Sequence, residues 1–132
     1  MGRSVRVLLD THALLWWLAG DEQLPKAMRA LIGDNETEVL VSAASAWEIS
    51  TKVRIGKLPG AAELARGLPG ALESQGFEPL SITVQDAQTA GALPGPHRDP
   101  FDRLIAAQAN ARSLPVVSRD TALDGFGVRR LW

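Results

Sequence analysis

Residues 5–9 form a β-rich, almost wholly apolar run that stops at a carboxylate, Asp10. A strand with so little polar surface is typical of a parallel sheet that helices cover on both faces. Further β-rich runs lie at 39–41, 77–82, 114–118 and 128–132, and segments with helical signals separate them. Because strands that alternate with helices indicate βαβ units, we predict a three-layer α/β/α sandwich with a mainly parallel central sheet.

Capping residues mark the starts of most of the predicted helices. Thr11 precedes a helix that reaches residue 18, Ser42 one that reaches about residue 55, and Thr83 one that ends near residue 93. Asp99-Pro100 begins a helix that runs to about residue 112, because aspartate caps a helix and proline suits its first position. A further helix is expected at 25–32. We expect two short helices within 58–76, because five helix breakers interrupt that segment: Pro59, Gly60, Gly67, Pro69 and Gly70.

The composition limits the class of protein. The 132 residues suffice for one domain with its own core, so we take 1–132 as a single domain. A formal net charge of −1 excludes a broadly basic surface, so a nucleic acid would need a local basic patch. The absence of cysteine excludes disulfides and thiolate metal sites. The most apolar stretch, at 13–19, is too short to cross a bilayer, so we expect a cytoplasmic protein with no membrane association.

Four acidic residues are predicted to meet at one edge of the sheet. Asp10 and Asp120 leave the carboxyl ends of their strands, and the helix of Glu48 follows a strand directly. The helix of Asp102 must deliver the chain to the amino end of the next strand, so it begins at the carboxyl edge. Open α/β sheets bind their ligands at that edge. Crowded carboxylates repel one another unless a cation neutralises them, and their hard oxygens suit Mg²⁺, with Mn²⁺ able to substitute.

Each acid also has an ordinary structural explanation. Glu48 could close a capping box with Ser45, and Asp102 could complement the dipole of its helix. Asp10 and Asp120 could be turn residues. Glu48 lies off the apolar stripe of its helix, so we do not expect it in the core. The convergence of all four acids favours a shared site over four separate explanations.

Other polar residues receive weaker assignments. Asp99 is a natural cap, so we give it a supporting role at the site. Lys52, Arg54 and Lys57 follow Glu48 and could hold a phosphodiester backbone or form a solvated helix face. The two histidines do not make a zinc site and are left unassigned. We expect three tryptophans in the core or at a dimer interface: Trp16, Trp17 and Trp47.

Four motifs follow one another along the chain: LLDTHALLW at 8–16, SAASAWEI at 42–49, HRDPFDRLIAAQA at 97–109 and VVSRD at 116–120. Together they resemble the PIN-domain nucleases and, more closely, the VapC-type toxins of bacterial toxin–antitoxin pairs. The resemblance spans essentially the whole chain, with the motifs in the expected order.

The resemblance implies a role for specific residues and partners. Asp10, Glu48, Asp102 and Asp120 match the catalytic, metal-binding acids, and Thr11 matches the hydroxyl residue beside the first. The family cleaves RNA with Mg²⁺ or Mn²⁺, forms homodimers and is silenced by a cognate small antitoxin, so we expect a hetero-oligomer with an antitoxin. The helix at 11–18 and the region 58–72 are candidate walls of the antitoxin groove. A housekeeping RNase and a non-catalytic partner-binding module remain the alternatives.

Two unrelated classes with an aspartate at a strand end fit the chain less well. A haloacid-dehalogenase-type phosphatase needs a second aspartate two residues later, where this chain has His12. A phosphoacceptor receiver domain uses adjacent acids after the first strand and a lysine on a late strand, and we find neither.

Overall fold

The computed structural model describes residues 5–132. Within them, one sheet contains five strands: β1 (Val5–Leu9), β2 (Thr37–Ser42), β3 (Glu78–Leu80), β4 (Val116–Val117) and β5 (Arg130–Leu131). The strands lie in the order β3-β2-β1-β4-β5, and every neighbouring pair is parallel. The predicted α/β sandwich is therefore confirmed.

Helices connect the strands and cover both faces of the sheet. They are α1 (Thr11–Ala19), α2 (Lys26–Gly33), α3 (Ala43–Arg54), α4 (Ala62–Gln75), α5 (Val84–Ala92) and α6 (Pro100–Arg112), and a 3-10 helix at Thr121–Phe126 joins β4 to β5. Ser42, Thr83 and Asp99 cap α3, α5 and α6 as predicted. No signal that we identified in the sequence predicts the 3-10 helix.

The cap of α1 differs from the prediction by one residue. Asp10, not Thr11, is the N-cap, and its Oδ1 atom accepts a hydrogen bond from the Ala13 N–H at 2.7 Å. Thr11 is instead the first residue of the helix and is buried. Aspartate and threonine both cap helices well, so the sequence alone does not separate two adjacent candidates.

The period of two in β1 distributes its side chains between two cores. Val7 and Leu9 pack on the face covered by α1, α2 and α4, whereas Leu8 packs on the face covered by α5 and α6. All three side chains are fully buried. Helix α3 contributes to both cores, Ile49 to the first and Ala44 to the second. A strand buried on both faces explains why residues 5–9 carry so little polarity.

The predicted break within 58–76 is wrong, because α4 is one continuous helix with Pro69 inside it. Proline removes one backbone hydrogen bond from a helix and crowds the preceding turn. Leu68 and Leu72 flank Pro69 and are buried against the core. Burial of two leucine side chains contributes roughly 3–6 kcal/mol, which is enough to offset the local cost of about 3 kcal/mol.

A buried polar network ties β2, α5 and α6 together on the second face. The Ser42 hydroxyl donates to Oε1 of Gln108 at 2.5 Å, and Nε2 of Gln108 donates to Oδ2 of Asp86 at 3.2 Å. Arg112 donates to both oxygens of Asp86 at 3.1 and 3.0 Å. Burial opposes ionisation of Asp86, but the hydrogen bonds from Arg112, Thr83 and Gln108 outweigh it and lower its pKa to about 2.

The register of the strands determines where the polar residues that follow them lie. Leu9 lies opposite Val41 and Val117 on the two neighbouring strands. Residues 10, 42 and 118 each follow one of these positions, so they lie at one level, at the carboxyl edge of the sheet. No helix within residues 5–132 is long and apolar enough to span a membrane.

Candidate active site

Asp10 stands at the centre of the carboxyl edge, directly after β1. Its backbone N–H donates to the carbonyl of Val117 at 3.1 Å, which holds this residue beside the end of β4. The side chain is only 7% exposed. One carboxylate oxygen caps α1, so the capping role and a role in a site are compatible.

Asp120 follows β4 on the same edge and is also a helix cap. Its Oδ1 atom accepts from the Ala122 N–H at 2.9 Å at the start of the 3-10 helix, and its own N–H donates to the Ser118 hydroxyl at 2.9 Å. Asp10 and Asp120 line one crevice of about 290 Å³ together with three further residues: His12, Trp16 and Arg119.

Glu48 is buried at 3% exposure, contrary to our expectation that it lies outside the core. It is not part of a capping box with Ser45, because α3 begins at Ala43 and Ser42 is its cap. The Lys52 ammonium, one helical turn later, donates to Oε2 of Glu48 at 2.5 Å. This cation stabilises a carboxylate that would otherwise be buried without a partner.

Thr11 connects α1 to α3. Its hydroxyl donates to the Ser45 hydroxyl oxygen at 3.0 Å, and both side chains are buried. This contact fixes the first turn of α1 against the helix that carries Glu48. Thr11 therefore links the elements that hold Asp10 and Glu48.

Asp102 lies in the first turn of α6, where Asp99 caps the helix. Oδ1 of Asp99 accepts from the backbone N–H groups of Phe101 and Asp102 at 2.9 and 3.2 Å. Oδ2 of Asp102 lies 2.9 Å from Nε2 of His97. One potential ligand atom from each of His97, Asp102 and Asp120 lies within 4.8 Å of the other two. Among the described residues this is the tight group, and Asp10 and Glu48 lie outside it.

The electrostatics connect this group to the other two acids. Burial raises the pKa of Asp102 to about 6; His97 opposes the shift, and the charges of Asp99, Asp120 and Glu48 add to it. Burial also raises the pKa of Asp10. Hydrogen bonds from Ser118 and the Ala13 N–H and the charge of His12 lower it, whereas the charge of Glu48 raises it further. Glu48 thus acts on both Asp10 and Asp102.

These observations give the four acids one electrostatic environment at the carboxyl edge. Two of them, Asp10 and Asp102, have raised pKa values because burial and like charges disfavour ionisation. A divalent cation would remove that penalty, and carboxylate oxygens are the donors that Mg²⁺ and Mn²⁺ prefer. The donor set therefore fits such an ion.

Sequence reasoning missed His97 and the residue that positions it, Arg103. The Arg103 guanidinium donates to four backbone carbonyls, one in the last turn of α5 and three in the loop before α6: Ala90 at 2.9 Å, Leu93 at 2.8 Å, Gly95 at 3.0 Å and His97 at 2.6 Å. Such a contact to an irregular loop has no periodic signal. The Glu48–Lys52 pair did have a signal, since acid and base lie four residues apart on one helix.

The three basic residues after Glu48 divide into two groups. Lys52 is half-buried and engaged with Glu48, whereas Arg54 and Lys57 are exposed near the end of α3. Trp47 precedes Glu48 and remains 53% exposed, with its ring edge-on to Phe101 at 4.6 Å. Trp16 and Trp17 are half-buried and pack against the first core.

The family model described as "PIN domain" matches residues 7–128. The chain belongs to the PIN domain family. Ribonuclease VapC22 from Mycobacterium tuberculosis is 32% identical to this PIN domain over 118 residues, which cover 89% of this chain and 88% of that protein. Ribonuclease VapC16 from the same organism is 43% identical over 54 residues, which cover 41% of this chain and 38% of that protein.

A solved structure shares the fold of this PIN domain. The crystal structure of VapBC2 from Rickettsia felis bound to a DNA fragment from their promoter superimposes with a TM-score of 0.68. The match covers 96% of this chain and 98% of that chain at 15% sequence identity. At this identity the likeness shows a common fold.

Proposed function

We propose that this PIN domain is a metal-dependent endoribonuclease that hydrolyses RNA phosphodiester bonds and acts as the toxin of a toxin–antitoxin pair. One observation carries the catalytic part: four carboxylates share the carboxyl edge, and two of them have pKa values raised by burial and by neighbouring charges. Relatives named ribonucleases support RNA as the substrate.

Asp10, Glu48, Asp102 and Asp120 would hold the cation. Mg²⁺, with Mn²⁺ as a substitute, supplies an activated water and offsets charge on the leaving oxygen when it is bound there. The protein's own contribution is to hold the carboxylates in place. The Ala13 N–H orients Asp10, Lys52 orients Glu48, and His97 orients Asp102. Ligating carboxylates that are themselves hydrogen-bonded keep their geometry and their affinity for the metal.

The partners follow from the same proposal. One solved structure with this fold is a complex named VapBC2, bound to a DNA fragment from their promoter. We therefore propose a small cognate antitoxin as the partner of this chain, and a homodimer that binds it as a hetero-oligomer.

Cleavage of purified RNA with Mg²⁺ tests the catalytic proposal. Asp10→Asn and Asp102→Asn should abolish cleavage, because each removes a charge from the site, and circular dichroism should show that the fold persists. Asp34→Asn is the matched control: Asp34 is exposed and precedes β2, at the opposite edge of the sheet. Full cleavage by Asp10→Asn would overturn the mechanism.

A further inference from the structure

The crevice that holds two of the four acids also contains a cation and aromatic rings. Asp10 and Asp120 form one wall, and His12, Trp16 and Arg119 form the rest. Its volume of about 290 Å³ lies near the lower end of the roughly 300–1,000 Å³ typical of small-molecule sites. Such a space accommodates one nucleotide rather than a longer segment.

The Arg119 side chain lines this crevice without forming an ion pair with either carboxylate. Its Cζ atom lies 4.8 Å from the centroid of the Trp16 ring, and Nη1 donates to Oε1 of Gln23 at a long 3.4 Å. Among residues 5–132, Arg119 makes no ion pair with a carboxylate, although Asp120 is its neighbour in the chain. This cation–π contact holds the guanidinium over the ring and leaves N–H groups for an anion. Phosphate is the anion that this geometry suits best.

Trp16 supplies a rigid aromatic surface. Its ring lies 5.6 Å from the exposed His12 ring and 5.8 Å from the Trp132 ring, measured between centroids. Aromatic side chains that line a groove with a cation are the recurring means by which proteins hold single-stranded nucleic acid. The crevice therefore has a group for the backbone and surfaces for a base.

We propose that this crevice is a nucleotide subsite for the RNA segment next to the scissile phosphate. Arg119 binds a backbone phosphate, and the base of that nucleotide packs against His12 and Trp16. The inference rests on the proposed nuclease function and names residues that hold and orient its substrate.

The basic end of α3 is the competing location for the RNA backbone. Lys52 is already engaged with Glu48, and Arg54 and Lys57 are exposed. Within the described part of the chain, none of these three residues makes a cation–π contact with an aromatic ring. Arg119, by contrast, lies beside Asp10 and Asp120, so a phosphate bound to it is adjacent to the acids.

The test measures binding of a fluorescein-labelled single-stranded RNA hexamer by anisotropy in EDTA, where no metal supports cleavage, over a range of salt concentrations. Arg119→Gln should weaken binding about tenfold or more and reduce the slope of log affinity against log salt by about 0.7, the value for one lost phosphate contact on a single strand. Trp16→Leu should weaken binding to a similar extent with the slope unchanged, because it removes a ring and no charge.

Matched controls and a second readout separate the possible outcomes. Arg54→Gln removes an exposed cation and Trp47→Leu an exposed ring, and both should bind like the wild type. Arg119→Lys should keep the salt slope, and titration with uridine or adenosine monophosphate should quench tryptophan fluorescence in the wild type but not in Trp16→Leu. If Trp16→Leu does not fold, Arg119→Gln and Arg119→Lys decide the matter.

The subsite proposal and the nuclease proposal fail in different ways. The subsite proposal is overturned if Arg119→Gln binds RNA with the affinity and salt dependence of the wild type while Arg54→Gln binds more weakly and with a smaller salt slope. That result would place the RNA backbone on α3. A wild-type protein that binds RNA in an Arg119-dependent manner but never cleaves it with Mg²⁺ or Mn²⁺ would overturn the nuclease and keep the subsite.

Discussion

The Nε2 atom of His97 lies 2.9 Å from Oδ2 of Asp102, five residues further along the chain. The two residues belong to different elements, since His97 lies in the loop before α6 and Asp102 in the first turn of the helix. Arg103, the residue after Asp102, donates to the backbone carbonyl of His97 at 2.6 Å. Arg103 of α6 therefore holds the backbone of His97 in place. The His97 imidazole in turn contacts the Asp102 carboxylate of the same helix.

His97→Ala should lower Mn²⁺ affinity and RNA cleavage by about 10- to 100-fold, the usual effect of removing a hydrogen bond to a metal-ligating group. Calorimetric titration with Mn²⁺ and the RNA cleavage assay measure the two effects. Arg98→Ala is the control, because Arg98 is the exposed neighbour of His97. Unchanged Mn²⁺ affinity in His97→Ala would show that Asp102 does not depend on the imidazole.

The raised pKa of Asp102 predicts how stability depends on pH without metal. The ordinary value is 3.8 and the folded-state value is about 6, so the folded state binds this proton more tightly than the unfolded state. The ionised group therefore destabilises the fold above pH 6, and the penalty disappears as pH falls through 6 towards 4. In EDTA the Tm of the wild type should rise as the pH is lowered from about 8 to about 5. The Tm of Asp102→Asn should rise much less over the same range.

Divalent cations should relieve the same penalty. Mn²⁺ at neutral pH should raise the Tm of the wild type by mass action and should do so far less in Asp102→Asn or Asp10→Asn. Equal shifts in all three proteins would contradict a shared metal site. A Tm in EDTA that falls as the pH is lowered over the same range would contradict the raised pKa of Asp102.

The Asp86–Arg112 pair makes the opposite prediction for an acid of the core. Its folded-state pKa of about 2 lies below the ordinary 3.8, so its contribution to stability is present above pH 4 and is lost as pH falls through 2. Arg112→Met leaves the Asp86 carboxylate buried without its ion-pair partner and should cost about 3 kcal/mol of unfolding free energy. Urea denaturation measures this cost, and Arg129→Met, at an exposed arginine, should change it by less than about 0.5 kcal/mol. Similar values for both variants would show that Asp86 does not need Arg112.

The positions of Asp10 and Asp120 could be predicted because chain direction alone decides them. A residue that ends a parallel strand lies at the carboxyl edge, whatever the details of packing. Helix α6 follows the same logic, since it must begin at that edge to reach β4. These predictions need only the pattern of strands and helices along the chain.

The failures share a different cause, which is contact between elements that are distant in sequence. The apolar stripe of α3 shows which face enters the first core, but Glu48 is buried as well, and α1 contacts the same helix through the Thr11–Ser45 hydrogen bond. Pro69 is tolerated because Leu68 and Leu72 gain more from burial than the helix loses. Neither the burial of Glu48 nor the tolerance of Pro69 can be predicted from local periodicity, because both depend on contacts with other elements.

Substitutions of Asp99 can distinguish a capping role from a metal-binding role. Its Oδ1 atom accepts from two backbone N–H groups at the start of α6, and asparagine can do the same. Asp99→Asn should therefore keep substantial RNA cleavage, whereas Asp99→Ala should cost about 1 kcal/mol of stability and displace Asp102. Cleavage rates and urea midpoints of the two variants distinguish the cases. A complete loss of cleavage in Asp99→Asn would show that the charge of Asp99 itself is needed.

The proposed antitoxin should act on the acid site through a cation. The crevice holds carboxylates that are not all paired with a cation when they are ionised. An arginine pairs with carboxylates through two hydrogen bonds and stays charged.

Helices α1 and α4 would form the walls for an apolar antitoxin segment, since Nε1 of Trp17 donates to Oε1 of Gln75 at 2.9 Å and both helices pack on one core. Expressed alone, the protein should halt bacterial growth. If a small gene lies next to its own, co-expression of the two should restore growth and give a complex. An Arg→Ala antitoxin should still bind through the groove but should protect RNA less in a cleavage assay. If the neighbouring gene product neither binds nor protects, a housekeeping RNase becomes the better interpretation.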